Sequence, residues 1–225
     1  MKLEILKELN AERAARRPVI VITDTASGEQ RLVKAKDIAA DPLRAELAKQ
    51  LRMGKSGNVE AGGKKLFLNV YAPTAKLVIV GAVHISQNLV PLARQLGYQV
   101  LVVDPRDSFA AAERFAGLDV DPRWPDEAFA EWKPDGGTAI VTLTHDPKID
   151  DPALAAALNS DAFYIASLGS RKTQAARLER LSAMGFTAEQ LARIDGPAGL
   201  AIGAATPAEI ALSILAGATA ALRRA

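Results

Sequence analysis

The sequence has 225 residues, 49% of them hydrophobic and 24% charged, enough for a sizeable core in one large domain or a medium domain with a small companion. Lys and Arg number 28 against 26 Asp and Glu, and a net charge of +2 does not point to nucleic acid as a partner. The complete lack of cysteine excludes a disulfide framework, a thiolate zinc site and any persulfide or acyl intermediate on these residues.

Residues 1–75 read as a small α+β unit. Leu3, Ile5, Leu6 and Leu9 fall on one face of an opening helix that runs into the basic stretch Arg13–Arg17. The mixture of charged and apolar residues there has no h-region and is not a signal peptide. Pro18–Thr23 reads as a short buried strand, Ser27-Gly28 as a turn and Gln30–Val33 as the returning strand of a hairpin. Asp41-Pro42 opens a helix that reaches about Leu51, with proline at its first position. Gly57–Glu60 and Lys65–Tyr71 flank Gly62-Gly63 as a second hairpin, and Ala72–Ala75 is a linker.

From residue 76 to 225 strands and helices alternate. Strands are expected at about 77–82, 99–104, 138–143 and 163–169, with a weaker one at Leu118-Asp-Val120. Helices are expected near 86–96, 125–132 and 151–159. Asp151-Pro152, Thr187–Gln190 and Thr206–Glu209 carry helix-start signals. Continuous apolar strands joined by crossover helices mean an α/β, Rossmann-like parallel sheet with helices on both faces. No run approaches ~18 apolar residues, so no membrane span is expected, and a cytoplasmic protein is the plain expectation.

In such a sheet ligands bind beyond the carboxyl ends of the strands. Those ends carry Gly81 and His84; Asp104 and Arg106; His145, Asp146 and Lys148; and Gly169, Ser170 and Arg171. Strand, glycine turn, helix, strand and acid follow the order of a dinucleotide-binding unit, but the glycine fingerprint is incomplete. Val83 and Ser86 stand where glycine and a small residue are wanted, and Val83 is expected to intrude on a pyrophosphate. Asp104 is either a ribose-binding acid or a turn former before Pro105. Arg106 would then hold a phosphate or pair with Asp107. Ser170 caps the following helix, and with Arg171 it makes either an anion site or an ordinary solvated helix start. His145 with Asp146 suits proton transfer or a turn; two irregularly spaced histidines do not make a metal site. No catalytic constellation stands out.

Gly81-Ala-Val-His84, Val103-Asp-Pro-Arg106, Glu113-Arg-Phe115, Thr144–Leu154, Phe163-Tyr-Ile165, Leu168-Gly-Ser-Arg171, Gly196-Pro197 and Ile202-Gly-Ala204 with Thr206–Ile210 occur in that order. Together they resemble the Rossmann domain of the xanthine dehydrogenase accessory proteins, the XdhC/CoxI family, over about residues 76–222. The resemblance implies a cytoplasmic maturation factor that binds molybdenum cofactor (molybdopterin) as cargo. It also implies protection of that cargo while a cysteine desulfurase supplies sulfur, and delivery to a molybdenum hydroxylase apo-enzyme. The ten strand-end residues above would line the cofactor site, and a homodimer or a paralogous partner is a further expectation. The sequence departs from the family pattern at Val83, Ala166, Asp195 and Ala201. Its N-terminal region also lacks the family's cysteine-bearing, glycine-rich motif. Two rivals remain: an NAD(P)-binding oxidoreductase, and a non-binding scaffold beside a fuller family member.

Overall fold

The computed structural model describes residues 1–106 and 120–224 and divides them into two compact units. One is Met1–Pro73 with Arg223 and Arg224; the other is Thr74–Leu222. The first unit contains α1 (Leu3–Ala14), β1 (Val19–Asp24), β2 (Gln30–Lys34), a 3-10 helix (Ala35–Ala40), α2 (Arg44–Met53), β3 (Gly57–Ala61) and β4 (Lys64–Tyr71). Its strands pair antiparallel in the order β2-β1-β4-β3, as the two hairpins require. Side chains alternate across this sheet. Ile20, Ile22, Leu66 and Leu68 share a cluster with Ile38 and Leu47, whereas Val19 and Val21 pack with Leu9 of α1. Asp41-Pro42 does not open α2. The Asp41 carboxylate accepts from the Leu43 N–H and pairs with Arg31, and the helix begins at Arg44.

The second unit runs β5 (Lys76–Val80), α3 (His84–Gln95), β6 (Gln99–Val103), β7 (Val120–Asp121), α4 (Pro125–Trp132), β8 (Thr138–Thr142), α5 (Pro147–Leu158), β9 (Tyr164–Ser167), α6 (Arg171–Ala183), α7 (Ala188–Leu191), β10 (Ile194–Asp195) and α8 (Pro207–Arg224). The six strands are parallel and ordered β10-β9-β8-β5-β6-β7. Numbered within the unit, that is the doubly wound order 3-2-1-4-5-6 in reverse. Leu77 and Ile79 face a cluster built with α3 and α8; Val78 and Val80 face one built with α4, α5 and α6. All four are fully buried, which is why these strands are apolar without alternation. Among the described residues no helix is long and apolar enough to cross a membrane.

Two helix starts differ from expectation. Helix α3 begins at His84, two residues early, because the buried Ser86 hydroxyl accepts the Val83 N–H and closes the first turn. The cap and first-turn proline of α5 are Asp146-Pro147, and Pro152 lies within the helix. The expected strand at Leu118-Asp-Val120 is present from Val120; Leu118, Asp119 and the Glu113-Arg-Phe115 motif lie outside the described residues. The near-zero total charge also conceals an asymmetry. Residues 1–73 carry 14 Lys and Arg against 9 Asp and Glu, and residues 74–222 carry 12 against 17.

The first unit holds an ion cluster around a buried carboxylate. Glu12, with its side chain 7% exposed, accepts from the Arg17 guanidinium and pairs with Lys34 at 3.3 Å. Arg17 hydrogen bonding outweighs the upward push of burial and, with Lys34, lowers the Glu12 pKa from 4.5 to about 2. A depressed folded-state pKa gives stability that is full above the unfolded value and is lost as pH falls through the folded one. The melting-temperature advantage of the natural chain over E12Q should therefore be constant above about pH 5. It should shrink between pH 4.5 and 2 when followed by calorimetry.

Candidate functional site

All ten strand-end residues named above lie along the carboxyl edge of the parallel sheet, on the turns after β5, β6, β8 and β9 or, for His84, Lys148 and Arg171, in the first turn of the helix that follows. The turn after β5 is closed from within. Gly81 has φ +119°, and a Cβ there would meet the Thr144 methyl at 3.0 Å and the Thr144 nitrogen at 3.3 Å. The glycine thus lets the β5 and β8 turns touch at the point where a doubly wound sheet reverses direction. The Ala82 N–H donates to Asp104 Oδ2 at 2.8 Å, and the Val83 N–H donates to Ser86 Oγ at 2.8 Å. Val83 packs against the apolar core, so the turn is closed by Asp104 and Ser86, and the expected intrusion of the valine methyls is not its cause.

Asp104 is fully buried, and Arg106 grips it through Nε and Nη2 at 2.8 and 2.7 Å. Burial pushes this carboxyl up, but the Arg106 guanidinium and the Ala82 and Arg106 N–H groups overcome that and hold it below the usual carboxylate range. Its oxygens are thus engaged by protein donors, unlike an acid awaiting a ribose. His84 is exposed at the first position of α3.

The β8 turn is organised by Asp150, which lies within the Thr144–Leu154 motif but is not among the expected site residues. The Asp150 carboxylate is 2% exposed and accepts from Thr144 Oγ1 at 2.7 Å and the His145 N–H at 3.1 Å. Burial raises its pKa, with the Thr144 hydroxyl and the Arg177 charge opposing. His145 takes φ 63°, in the left-handed region, with its residue exposed. Asp146 accepts the Lys148 N–H at 2.9 Å as the α5 cap, so its carboxylate serves the backbone and does not orient the imidazole. Lys148 is exposed in the first turn. Asp146 and Asp150 both act through space on Arg106, linking the β6 and β8 ends.

After β9, Gly169 has φ +148° and lies tightly on the first turn of α6, where a Cβ would be 3.1 Å from Thr173. Ser170 caps that helix, accepting the Thr173 N–H at 3.1 Å, while Arg171 and Lys172 are exposed beside it. Beneath the turn lies Arg177, unmarked in the sequence, 2% exposed and donating from Nη2 to the Leu168 carbonyl at 2.8 Å. Its Nη1 donates to Gln174 Oε1, and the Gln174 side chain fills the space where a Gly196 Cβ would stand. The edge continues at Asp195, which accepts the Tyr164 hydroxyl at 2.6 Å; burial and then this carboxylate raise the tyrosine pKa. Beyond it, Leu200 and Ile202 are exposed on an apolar loop.

The helix starts at this edge therefore differ. Helix α3 is served by Ser86, α5 by Asp146, and α8 by Glu209, which accepts from the Ala205 and Thr206 N–H groups. Among α3, α5, α6 and α8, α6 alone combines a neutral hydroxyl cap with neighbouring cations and no carboxylate in its first turn, a favourable setting for an anion. Among the described residues no group of three or more His, Cys, Asp or Glu side chains could hold a metal.

Residues 77–217 match the family model described as the XdhC Rossmann domain. The chain is 30% identical over 146 residues to the molybdenum cofactor insertion chaperone PaoD of Escherichia coli (strain K12), covering 65% of this chain and 40% of that protein. It is 28% identical over 152 residues to a probable xanthine dehydrogenase subunit of Bacillus subtilis (strain 168), covering 67% and 44% respectively. With the protein YqeB of Escherichia coli (strain K12) it shares 29% identity over 167 residues, 69% of this chain and 29% of that one. It thus spans less than half the length of these relatives. A crystal structure of a xanthine dehydrogenase from Bacillus halodurans superposes with TM-score 0.68 at 20% identity, covering 98% of this chain and 67% of that one, a likeness of fold.

With the Ala82 and Val83 N–H groups taken internally, dinucleotides are expected to be poor ligands. Isothermal titration of the full chain with NADH is expected to show no binding tighter than ~100 μM, about −5.5 kcal/mol. V83G alone should gain little, because Asp104 still holds the Ala82 N–H. A low-micromolar complex with either protein would contradict the closed turn.

Proposed function

The chain belongs to the XdhC family, and on that premise we propose that it is an accessory factor in the maturation of molybdenum hydroxylases, with no turnover of its own. Its cargo is the molybdenum cofactor, held at the carboxyl edge of the parallel sheet and passed to the apo-enzyme. The observation that carries this reading is the 30% identity over 146 residues to a relative named as a molybdenum cofactor insertion chaperone, beside the match of residues 77–217 to the XdhC Rossmann domain. The anion-receptive start of α6 supports it, since molybdopterin ends in a phosphate. Sulfur is supplied by a separate cysteine desulfurase, because none of the 225 residues offers a thiolate to carry it.

In this reading Gly169, Ser170 and Arg171 hold the anionic end of the cargo. His84, His145 and Lys148, exposed at the neighbouring turns, face its polar rim. Gly81, Asp104, Arg106 and Asp146 shape the edge through the internal contacts described above. The dinucleotide reading lacks support, because the two N–H groups a pyrophosphate would need are already satisfied within the protein.

Deleting the gene should leave a molybdenum hydroxylase of the same cell synthesised but inactive, with little terminal sulfido ligand. Chemical sulfuration of the purified enzyme should restore much of its activity. Normal hydroxylase activity in a deletion strain without a redundant paralogue would remove the assignment. At the site itself, R171A should weaken molybdopterin binding roughly tenfold or more, the loss of a charge-assisted contact of about 1.5–3 kcal/mol, with the melting temperature unchanged. A loss under about twofold would make Arg171 an ordinary solvated residue.

A further inference from the structure

We propose that Arg177 is the buried cationic floor of a phosphate-binding site whose rim is the Gly169–Thr173 turn. The side chain is 2% exposed, yet among the described residues no carboxylate touches it: its acceptors are the neutral Leu168 carbonyl and the Gln174 amide oxygen. Its Nε–H has no acceptor among them at all. Burial lowers its pKa, and Asp150 and Asp151 compensate only through space. Both of those carboxylates are engaged elsewhere, Asp150 by Thr144 and the His145 N–H and Asp151 by Arg180. A guanidinium taken out of water normally acquires an anion in contact. Here the described side chains supply none.

The place where it belongs is next to the guanidinium. Arg177 Nη2 lies 3.6 Å from the point where a Gly169 Cβ would stand and bonds Leu168, so the charge sits directly under the turn that leads into α6. Above it are the first backbone N–H groups of α6, the Ser170 hydroxyl and the exposed Arg171. A phosphate on those N–H groups would take Arg171 from the solvent side and the field of Arg177 from below. The glycine is what lets backbone, anion and guanidinium approach: φ +148° and a contact of 3.1 Å to Thr173 leave no room for a side chain. Asp150 tunes the site from the β8 end, since its charge offsets that of Arg177.

This deepens the cargo reading by naming the group held, a phosphate monoester dianion, and it can be tested without the cargo. Inorganic phosphate is titrated into the 15N-labelled full chain while the backbone amides of Ser170–Thr173 and the Arg177 Nε–H are followed by NMR. Both sets of signals should move saturably with one dissociation constant. R177M should weaken phosphate at least about tenfold, and R177K, which keeps the charge, should stay within a few-fold of the natural chain. Should R177M fail to fold, the Nε–H titration of the natural chain still decides. An Arg177 that only ties Leu168 to Gln174 predicts an unmoved Nε–H and unchanged affinity in any folded variant, and either result overturns the proposal. Hydroxylase activation is assayed in parallel. Phosphate binding without activation would remove the accessory role and leave the site, and activation without phosphate binding would do the reverse.

Discussion

Both faces of the parallel sheet are sealed, and the rest of the second unit follows from that constraint. Leu77, Val78, Ile79 and Val80 of β5 have no exposed surface, and neither do Ala139, Ile140 and Val141 of β8. Burying each large aliphatic side chain contributes about 1.5–3 kcal/mol, so these strands have no room for polar side chains with unmet needs. The polar side chains buried in β8 and β9 are all satisfied: Thr142 and Ser167 bond each other, Thr138 Oγ1 donates to Asp135, and the Tyr164 hydroxyl donates to Asp195. Chemistry is thereby driven to the strand ends, where backbone groups leave the ladder and need partners.

How those ends are satisfied separates this chain from a dinucleotide-binding protein of the same topology. A nucleotide site at the β5 turn needs free N–H groups and a glycine with space above it. Here the space over Gly81 is filled by Thr144, and the free N–H groups are taken by Asp104 and Ser86. The strand order is preserved while the crevice at its reversal point is given over to internal packing. The β9 turn, two strands from β5, is built differently: its cap is a hydroxyl and the buried charge beside it is positive.

Local signals are the legible part of the sequence. Hairpin glycines, the Pro125 start, the Thr187 capping box and the continuous apolar strands all act over a few residues, and the structure contains each of them. The Asp-Pro signal occurs twice within seven residues, and nothing local says that Asp146 caps α5 while Asp151 pairs with Arg180, 29 positions away. Gln174 and Arg177 are illegible for the same reason, and Asp150, though inside the Thr144–Leu154 motif, has no local mark of its role. On a helix pattern each reads as an ordinary polar residue, and their roles arise only when α5 and α6 fold back on the sheet. Val83 reads as an obstacle in the sequence because its side-chain direction is set by packing on the core, which no motif encodes.

The buried charges bear on which residues the function needs. Among the described residues of the second unit, the charged side chains under 9% exposure are Asp104, Asp150, Asp151 and Arg177. Replacing a whole buried ion pair by apolar groups of similar size is often neutral or stabilising, whereas removing one partner alone is strongly destabilising, so a buried charge is weak evidence of a purely stabilising role. Three of the four sit at or just below the carboxyl edge, and each sets the shape of one turn: Asp104 the β5 turn, Asp150 the β8 turn, Arg177 the β9 turn. Asp104 and Asp150 are matched by donors on those turns, Asp104 by a guanidinium as well. Arg177, the one base of the four, has an Nε–H without an acceptor and no carboxylate in contact among the described residues. An edge whose two buried acids are satisfied from within, and whose buried base is not, is the physical ground on which the proposed anion at the β9 turn rests.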